Sequence, residues 1–276
     1  MTQNQRIAII DDCPEDREAY RRYLLADRRY FYEILEAEDG EEGLALCDRE
    51  KPDVILLDFL LPGMDGLEFL NELKILLGKT QIPVVMLTGQ GSEEIAVQAL
   101  KSGVSDYLVK GQTTSENLRL TIRNVLEQSR LLSQLEESEQ RFRETFKQAA
   151  TGIAHIGVDG QWLLVNQRLC DILGCTREEL LGYTFWNITH TDNLSGSLDF
   201  IRRLLADEIP SDSQQKRFIR KDGVTVWLDW TVSLVRATSG EPRYLIAIVQ
   251  DISDRKQLEE SLSISQERLA LAQKIG

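Results

Sequence analysis

Asp11, Asp12, Asp58, Thr88 and Lys110 are the residue types that phosphoryl transfer needs, and each stands at the end of a short apolar run. Ile7-Ala8-Ile9-Ile10 leads into Asp11-Asp12, and Val54-Ile55-Leu56-Leu57 into Asp58. Val84-Val85-Met86-Leu87 leads into Thr88-Gly89, and Tyr107-Leu108-Val109 into Lys110. Carboxylates gathered in this way suit Mg²⁺, a hard cation that keeps several waters and takes one or two protein carboxylates. A carboxylate can also be the nucleophile, which gives Asp58 the chemistry to form an aspartyl phosphate. The Lys110 ammonium and the Thr88 hydroxyl would then hold the new phosphoryl oxygens. One at a time these residues have plainer uses: a strand-end Asp caps helices, Thr88 favours strand, and Lys110 is solvated. Their joint placement at successive run ends favours the site.

Such a site needs elements that bring the run ends together. Short apolar, β-branched-rich runs separated by amphipathic helical segments read as buried parallel strands of an α/β sheet. Ligands of such sheets bind beyond the carboxyl ends of the strands, so the polar residues would share one rim.

Residues 5–127 resemble the receiver domain of two-component signalling. The stretches that carry the likeness are IAIIDD, LLDFLLPGMDGLEFL, IPVVMLTG and GVSDYLVKG. The resemblance implies a flavodoxin-like, five-stranded parallel sheet with Asp58 as phospho-acceptor. It implies Asp11 and Asp12 as the acidic metal pair, with the Leu60 backbone carbonyl as a further Mg²⁺ ligand. Thr88 becomes the switch hydroxyl, Lys110 the phosphate-binding lysine, and Tyr107 the aromatic switch whose ring swings inward. One departure stands out: Gly111 follows Lys110, where receivers usually carry a cis proline. A non-proline cis bond costs about 2.5–4 kcal/mol, so a trans linkage is expected, which leaves the placement of Lys110 and the phosphoryl lifetime open.

The chain has 276 residues, enough for two ordinary domains. Its formal charge of −13 argues against general nucleic-acid binding, which needs a basic face. The N-terminal MTQNQR lacks an apolar signal core and no apolar run approaches bilayer length, so no membrane partner and a cytoplasmic location are expected. Cys13, Cys47, Cys170 and Cys175 have no paired metal-site spacing and read as reduced thiols.

From Ser115 to Ala150 the chain has neither Pro nor Gly and reads as a helical connector overlapping both domains. Leu118, Val125, Leu132, Glu139 and Phe146 follow a heptad spacing, with Leu135 and Phe142 at d-type positions. Gln128 and Glu139 interrupt the frame, so the expectation is a short dimeric coiled coil; an amphipathic helix packed on its own domains is the alternative.

Beyond Gly152 the pattern changes. GIAHIGVDGQWLLVNQRL suggests two strands joined at Asp159-Gly160. Helical segments follow through Leu181 and over 194–207, then strand-like runs at 215–219, 225–235 and 243–250. An α+β domain with an antiparallel sheet is expected. Residues 138–253 resemble a PAS domain, through FRETFKQAATGIAHIGVDG, LVNQRLCDILGCTREELLG, RFIRKDGVTVWLDWTVSLV and IVQDISDRK. The resemblance implies an Asp251–Arg255 ion pair coupling the last strand to the exit helix. It leaves the PAS ligand unknown. A flavin adduct is disfavoured because YTFWNITHTD contains no cysteine, and haem because His155 and His190 stand alone. Trp162, Trp186, Trp227 and Trp230 could line a pocket or fill a core. Residues 254–276 read as a further helix with coiled-coil spacing, and the ending resembles the lead-in to another PAS domain, as in a fragment of a hybrid histidine kinase or diguanylate cyclase.

The expected function is phosphorelay signalling, with a histidine kinase or phosphotransfer protein as donor and a homodimer formed through connector and PAS. A phosphorylation-independent PAS dimerisation adaptor is the alternative. Kinase boxes, an ATP-binding glycine segment and a GGDEF-type run are missing from these residues, so no enzyme is expected.

Overall fold

The four apolar runs are strands, and a fifth lies beside them. In a computed structural model, residues 5–27, 30–78, 82–89, 93–185, 201–209 and 211–275 are described. Chain contacts divide the molecule into two units, one ending at Glu137 and the next beginning at Ser138.

The first unit alternates strand and helix. Its elements are β1 (Gln5–Ile10), α1 (Pro14–Leu25), β2 (Tyr32–Ala37), α2 (Gly40–Glu50) and β3 (Val54–Asp58). A two-residue ladder of β4 (Leu60–Leu61) and β5 (Met64–Asp65) leads to α3 (Gly66–Leu77), β6 (Val84–Thr88), α4 (Glu93–Lys101), β7 (Asp106–Val109) and α5 (Ser115–Gln148). The sheet order is β2-β1-β3-β6-β7, with every pairing parallel. Alternate strand residues face opposite layers. Ala8, Ile10, Ile55, Leu57 and Met86 pack with Leu46, Phe69, Leu70 and Ala99 of α2, α3 and α4. Ile7, Ile9, Leu56, Val85 and Leu87 pack with Tyr20 and Leu24 of α1 and Leu118 and Ile122 of α5. Helices on both faces explain why β3 and β6 are buried along their whole length. Edge strand β2 carries Glu33 and Glu36 and is fully buried only at its two ends, a weaker pattern in the sequence.

The second unit holds β8 (Gly152–Ile156), β9 (Trp162–Val165), α6 (Gln167–Leu173) and α7 (Arg177–Leu181). It closes with β10 (Ser211–Ile219), β11 (Thr225–Arg236), β12 (Pro242–Asp251) and α8 (Ser253–Ile275). Its sheet runs β10-β11-β12-β8-β9, entirely antiparallel. The β8–β9 turn falls at Asp159-Gly160, where Gly160 adopts φ +86°, a left-handed conformation that glycine takes without steric cost. Strand β10 begins earlier than the sequence pattern suggested. Residues 201–205 are helical; the rest of the helix expected over 194–207 lies outside the described residues, as do Trp186 and His190.

The connector is a helix over Ser115–Gln148, but the apolar residues along it have different fates. Leu118, Ile122 and Val125 are buried in the core of the first unit. Leu131, Leu132, Leu135 and Phe142 are more than half exposed, and Phe146 is buried again.

Candidate functional site

Three strand ends and one turn build the site. Asp11 extends β1, its N–H donating to the Ala37 carbonyl at 3.2 Å. It does not cap α1: Cys13 is the N-cap, its thiol making no capping bond to the helix backbone, and Pro14 opens the helix with the fixed φ that suits a first turn. The Asp11 carboxylate instead accepts the Cys13 N–H at 3.0 Å. Asp58 ends β3 and is 5% exposed, while Asp11 is fully buried and Asp12 is exposed. Carboxylate oxygens of Asp11, Asp12 and Asp58 lie within 4.8 Å of one another. An all-oxygen donor set of this kind fits a hard divalent cation.

Lys110 reaches the same point from the end of β7. Its Nζ lies 2.7 Å from Asp11 Oδ2 and 2.9 Å from Asp58 Oδ2. Gly111 therefore does not displace the lysine. A 3₁₀ turn over Lys110–Gln112 follows the strand, and the Thr113 hydroxyl donates to the Val109 carbonyl at 2.8 Å. The described residues contain no cis peptide, in line with the cost of that bond without proline. Burial works against the charge on Lys110, yet its hydrogen bonds to Asp11 and Asp58 hold its pKa above the ordinary lysine value. Burial also pushes the Asp11 and Asp58 carboxyls up, against the pull of Lys110. Lys110 thus holds its proton more tightly than a free lysine, and Asp11 and Asp58 hold theirs more tightly than free carboxyls.

Thr88 ends β6, buried, opposite Val109. Tyr107 lies beside Met86 in the ladder and is 37% exposed, outside the buried core. The Leu60 side chain points to solvent, and its backbone N–H works against the burial that raises the Asp58 carboxyl. Gly66 follows closely: a Cβ there would come within 3.1 Å of Phe59 Cα and 3.3 Å of the Asp58 carbonyl. That contact explains the glycine at the head of α3, which Asp65 and Glu68 secure with a reciprocal capping box.

Two site residues escaped the sequence. Arg17 is 7% exposed and donates to the Asp11 carbonyl and to Glu38, each at 2.7 Å. It fixes the turn that presents Asp11 and Asp12. Asp16 places Oδ2 3.1 Å from Lys110 Nζ. Both sit in the first turns of a helix rich in charge, where the sequence offers no sign of which charged residues face inward.

The second unit has an aromatic interior. Trp162, Phe185, Phe218 and Trp230 form one aromatic cluster, with Phe218 stacked on Trp230 at 5.9 Å. The indole N–H groups of Trp162 and Trp230 are buried, with no hydrogen-bond partner among the described residues. A cavity of about 20 Å³, room for about one water, is lined by Ile156, Val158, Phe185, Trp230, Val232 and Leu245 among others. Trp227 belongs to the opposite sheet face. Arg217 and Lys256 approach its ring, at 5.9 and 5.6 Å from the centroid.

The Asp251–Arg255 pair does not form. Arg255 pairs with Glu259 at 3.3 Å, one helical turn on, and Asp251 accepts the Ser253 N–H at 2.9 Å. The strand joins the exit helix through Trp227 instead: its N–H donates to Ser253 Oγ and its carbonyl accepts the Ile252 N–H. At the entry side, Asn166 is buried and donates to the carbonyls of Phe146 and Thr151, each at 3.0 Å.

Residues 7–123 match the response regulator receiver domain family, and residues 163–249 match the PAS fold. The probable diguanylate cyclase DgcE of Escherichia coli is 39% identical over 142 residues, 51% of this chain and 13% of that protein. The sensor histidine kinase TmoS of Ectopseudomonas mendocina is 25% identical over 298 residues, 96% of this chain and 30% of TmoS. Protein PilH of Pseudomonas aeruginosa is 36% identical over 121 residues, which span 44% of this chain and 97% of PilH. The chain thus covers less than a third of DgcE and of TmoS. No described helix is long and apolar enough to cross a membrane.

Proposed function

Because this chain belongs to the response regulator receiver family and carries a PAS fold behind its receiver, we propose that it is a phosphorelay signalling protein whose Asp58 accepts a phosphoryl group. The observation that carries this reading is the convergence of Asp11, Asp12, Asp58 and Lys110 on one rim of the sheet. The donor is a phosphohistidine on a histidine kinase or phosphotransfer protein. An Asp58 carboxylate oxygen attacks phosphorus; a P–O bond forms as the P–N bond breaks. The leaving nitrogen keeps the bonding pair, and with a proton from solvent the donor ends as neutral imidazole. Asp11, Asp12, Asp58 and the Leu60 carbonyl would hold Mg²⁺, which when bound neutralises charge between carboxylate and donor. Lys110 and the Thr88 hydroxyl hold the transferred oxygens. Tyr107, exposed in this structure, follows Thr88 inward and reports the change.

The connector carries the output to the PAS domain, whose matched family, like the receiver, is non-catalytic. Leu131, Leu132, Leu135 and Phe142, each more than half exposed, support pairing of two copies along this helix. The same stripe supports a second reading, an adaptor that dimerises whether or not Asp58 is phosphorylated. The test is phosphate-affinity gel mobility after acetyl phosphate and Mg²⁺, for wild type and Asp58→Asn, with light scattering on the same samples. A shift in wild type alone, with a change in mass, is expected. Equal phosphorylation of both proteins overturns the assignment of Asp58, and a mass indifferent to phosphorylation selects the adaptor.

A further inference from the structure

An ammonium has three N–H donors, and carboxylates already hold all three on Lys110. Asp11 and Asp58 take two, at 2.7 and 2.9 Å; Asp16, in the first turn of α1, takes the third at 3.1 Å. The three holders differ in their access to water. The side chains of Asp11 and Asp58 are 0% and 7% exposed, and that of Asp16 is 38% exposed. A phosphoryl group on Asp58 adds negative charge and acceptor oxygens beside Lys110, and a donor must be released to meet them. Asp16 has the longest bond of the three and the most water to replace it.

We propose that Asp16 competes with the phosphoryl group for Lys110 and so sets how tightly the phosphorylated site is held. This rests on reading Asp58 as the phospho-acceptor. Asp16 keeps the lysine saturated while the site is empty of phosphate, and yields it when phosphate arrives. Its neighbour Glu15 shares the same helical turn but engages the Cys13 thiol at 3.3 Å instead, so it carries equal charge without the contact.

The full chain is titrated with beryllofluoride, an analogue of the phosphoryl group, in saturating Mg²⁺ by isothermal titration calorimetry. Asp16→Asn is expected to bind about two- to five-fold more tightly than wild type, the range for a partly exposed ion pair. Asp16→Glu should return towards wild type, and Glu15→Gln should match it. Unchanged or weaker binding by Asp16→Asn overturns the proposal, the weaker case making Asp16 a residue that steadies Lys110. An equal gain in Glu15→Gln overturns it too, since loss of diffuse negative charge then suffices. Wild type that binds nothing, or Asp58→Asn that binds as well as wild type, removes the phospho-acceptor reading itself.

Discussion

The receiver sheet and the PAS sheet each have five strands, and they place their polar groups in opposite ways. The parallel sheet is apolar along its central strands and collects Asp11, Asp58, Thr88 and Lys110 at its carboxyl edge, the first three buried and Lys110 partly so, with Lys110 bonded to both carboxylates. The antiparallel sheet closes over Trp162, Phe218 and Trp230, and the two indole N–H groups inside this core have no partner among the described residues. The first arrangement stores unbalanced charge at a rim that a cation and a phosphoryl group can reach. The second stores packing.

Calorimetry of the full chain should resolve the two units, since multidomain chains do not unfold in one step, and each change should touch one unit only. The largest effect is expected from Trp230→Ala, which empties the centre of the aromatic cluster and costs the PAS unit about 3–5 kcal/mol. Trp230→Phe should cost far less, because the indole N–H it removes has no partner to lose. Mg²⁺ at a hundred times its Kd should stabilise the receiver transition by about 2.7 kcal/mol and leave the PAS transition in place; movement of both would break the comparison. Gly66→Ala forces a Cβ against Phe59 and the Asp58 carbonyl. It should cost the receiver about 1–3 kcal/mol and slow labelling by acetyl phosphate. The smallest effect belongs to Lys256→Ala, about 0.5–1 kcal/mol, read as faster amide exchange at the start of α8.

The receiver was legible because its site residues end buried parallel strands, and such strands read as unbroken apolar runs. Asp16 and Arg17 were not, because a helical Asp-Arg pair has the same sequence whether it faces water or Lys110. The connector taught a related lesson. Heptad spacing located Leu118, Val125, Leu132 and Phe146 on related faces, but spacing does not say what covers a face. The first two are covered by the receiver core, Leu132 is open and Phe146 is buried. In the PAS unit the two-residue period of a strand sends Trp227 and Trp230 to opposite faces, so the tryptophans do not share one pocket or core. Arg255 had a choice of carboxylates, and Glu259 on its own helix was the nearer in geometry.

The distribution of those tryptophans has an optical consequence. All four lie at positions 162, 186, 227 and 230, and the unit ending at Glu137 contains none. Indole emission, excited at the red edge of its band, is therefore silent about the receiver and speaks only for the PAS unit. Trp227, set between the cations of Arg217 and Lys256 where strand meets α8, is the chromophore best placed to change colour when that junction moves. A spectral change triggered at Asp58 would be a signal already delivered, seen without any label.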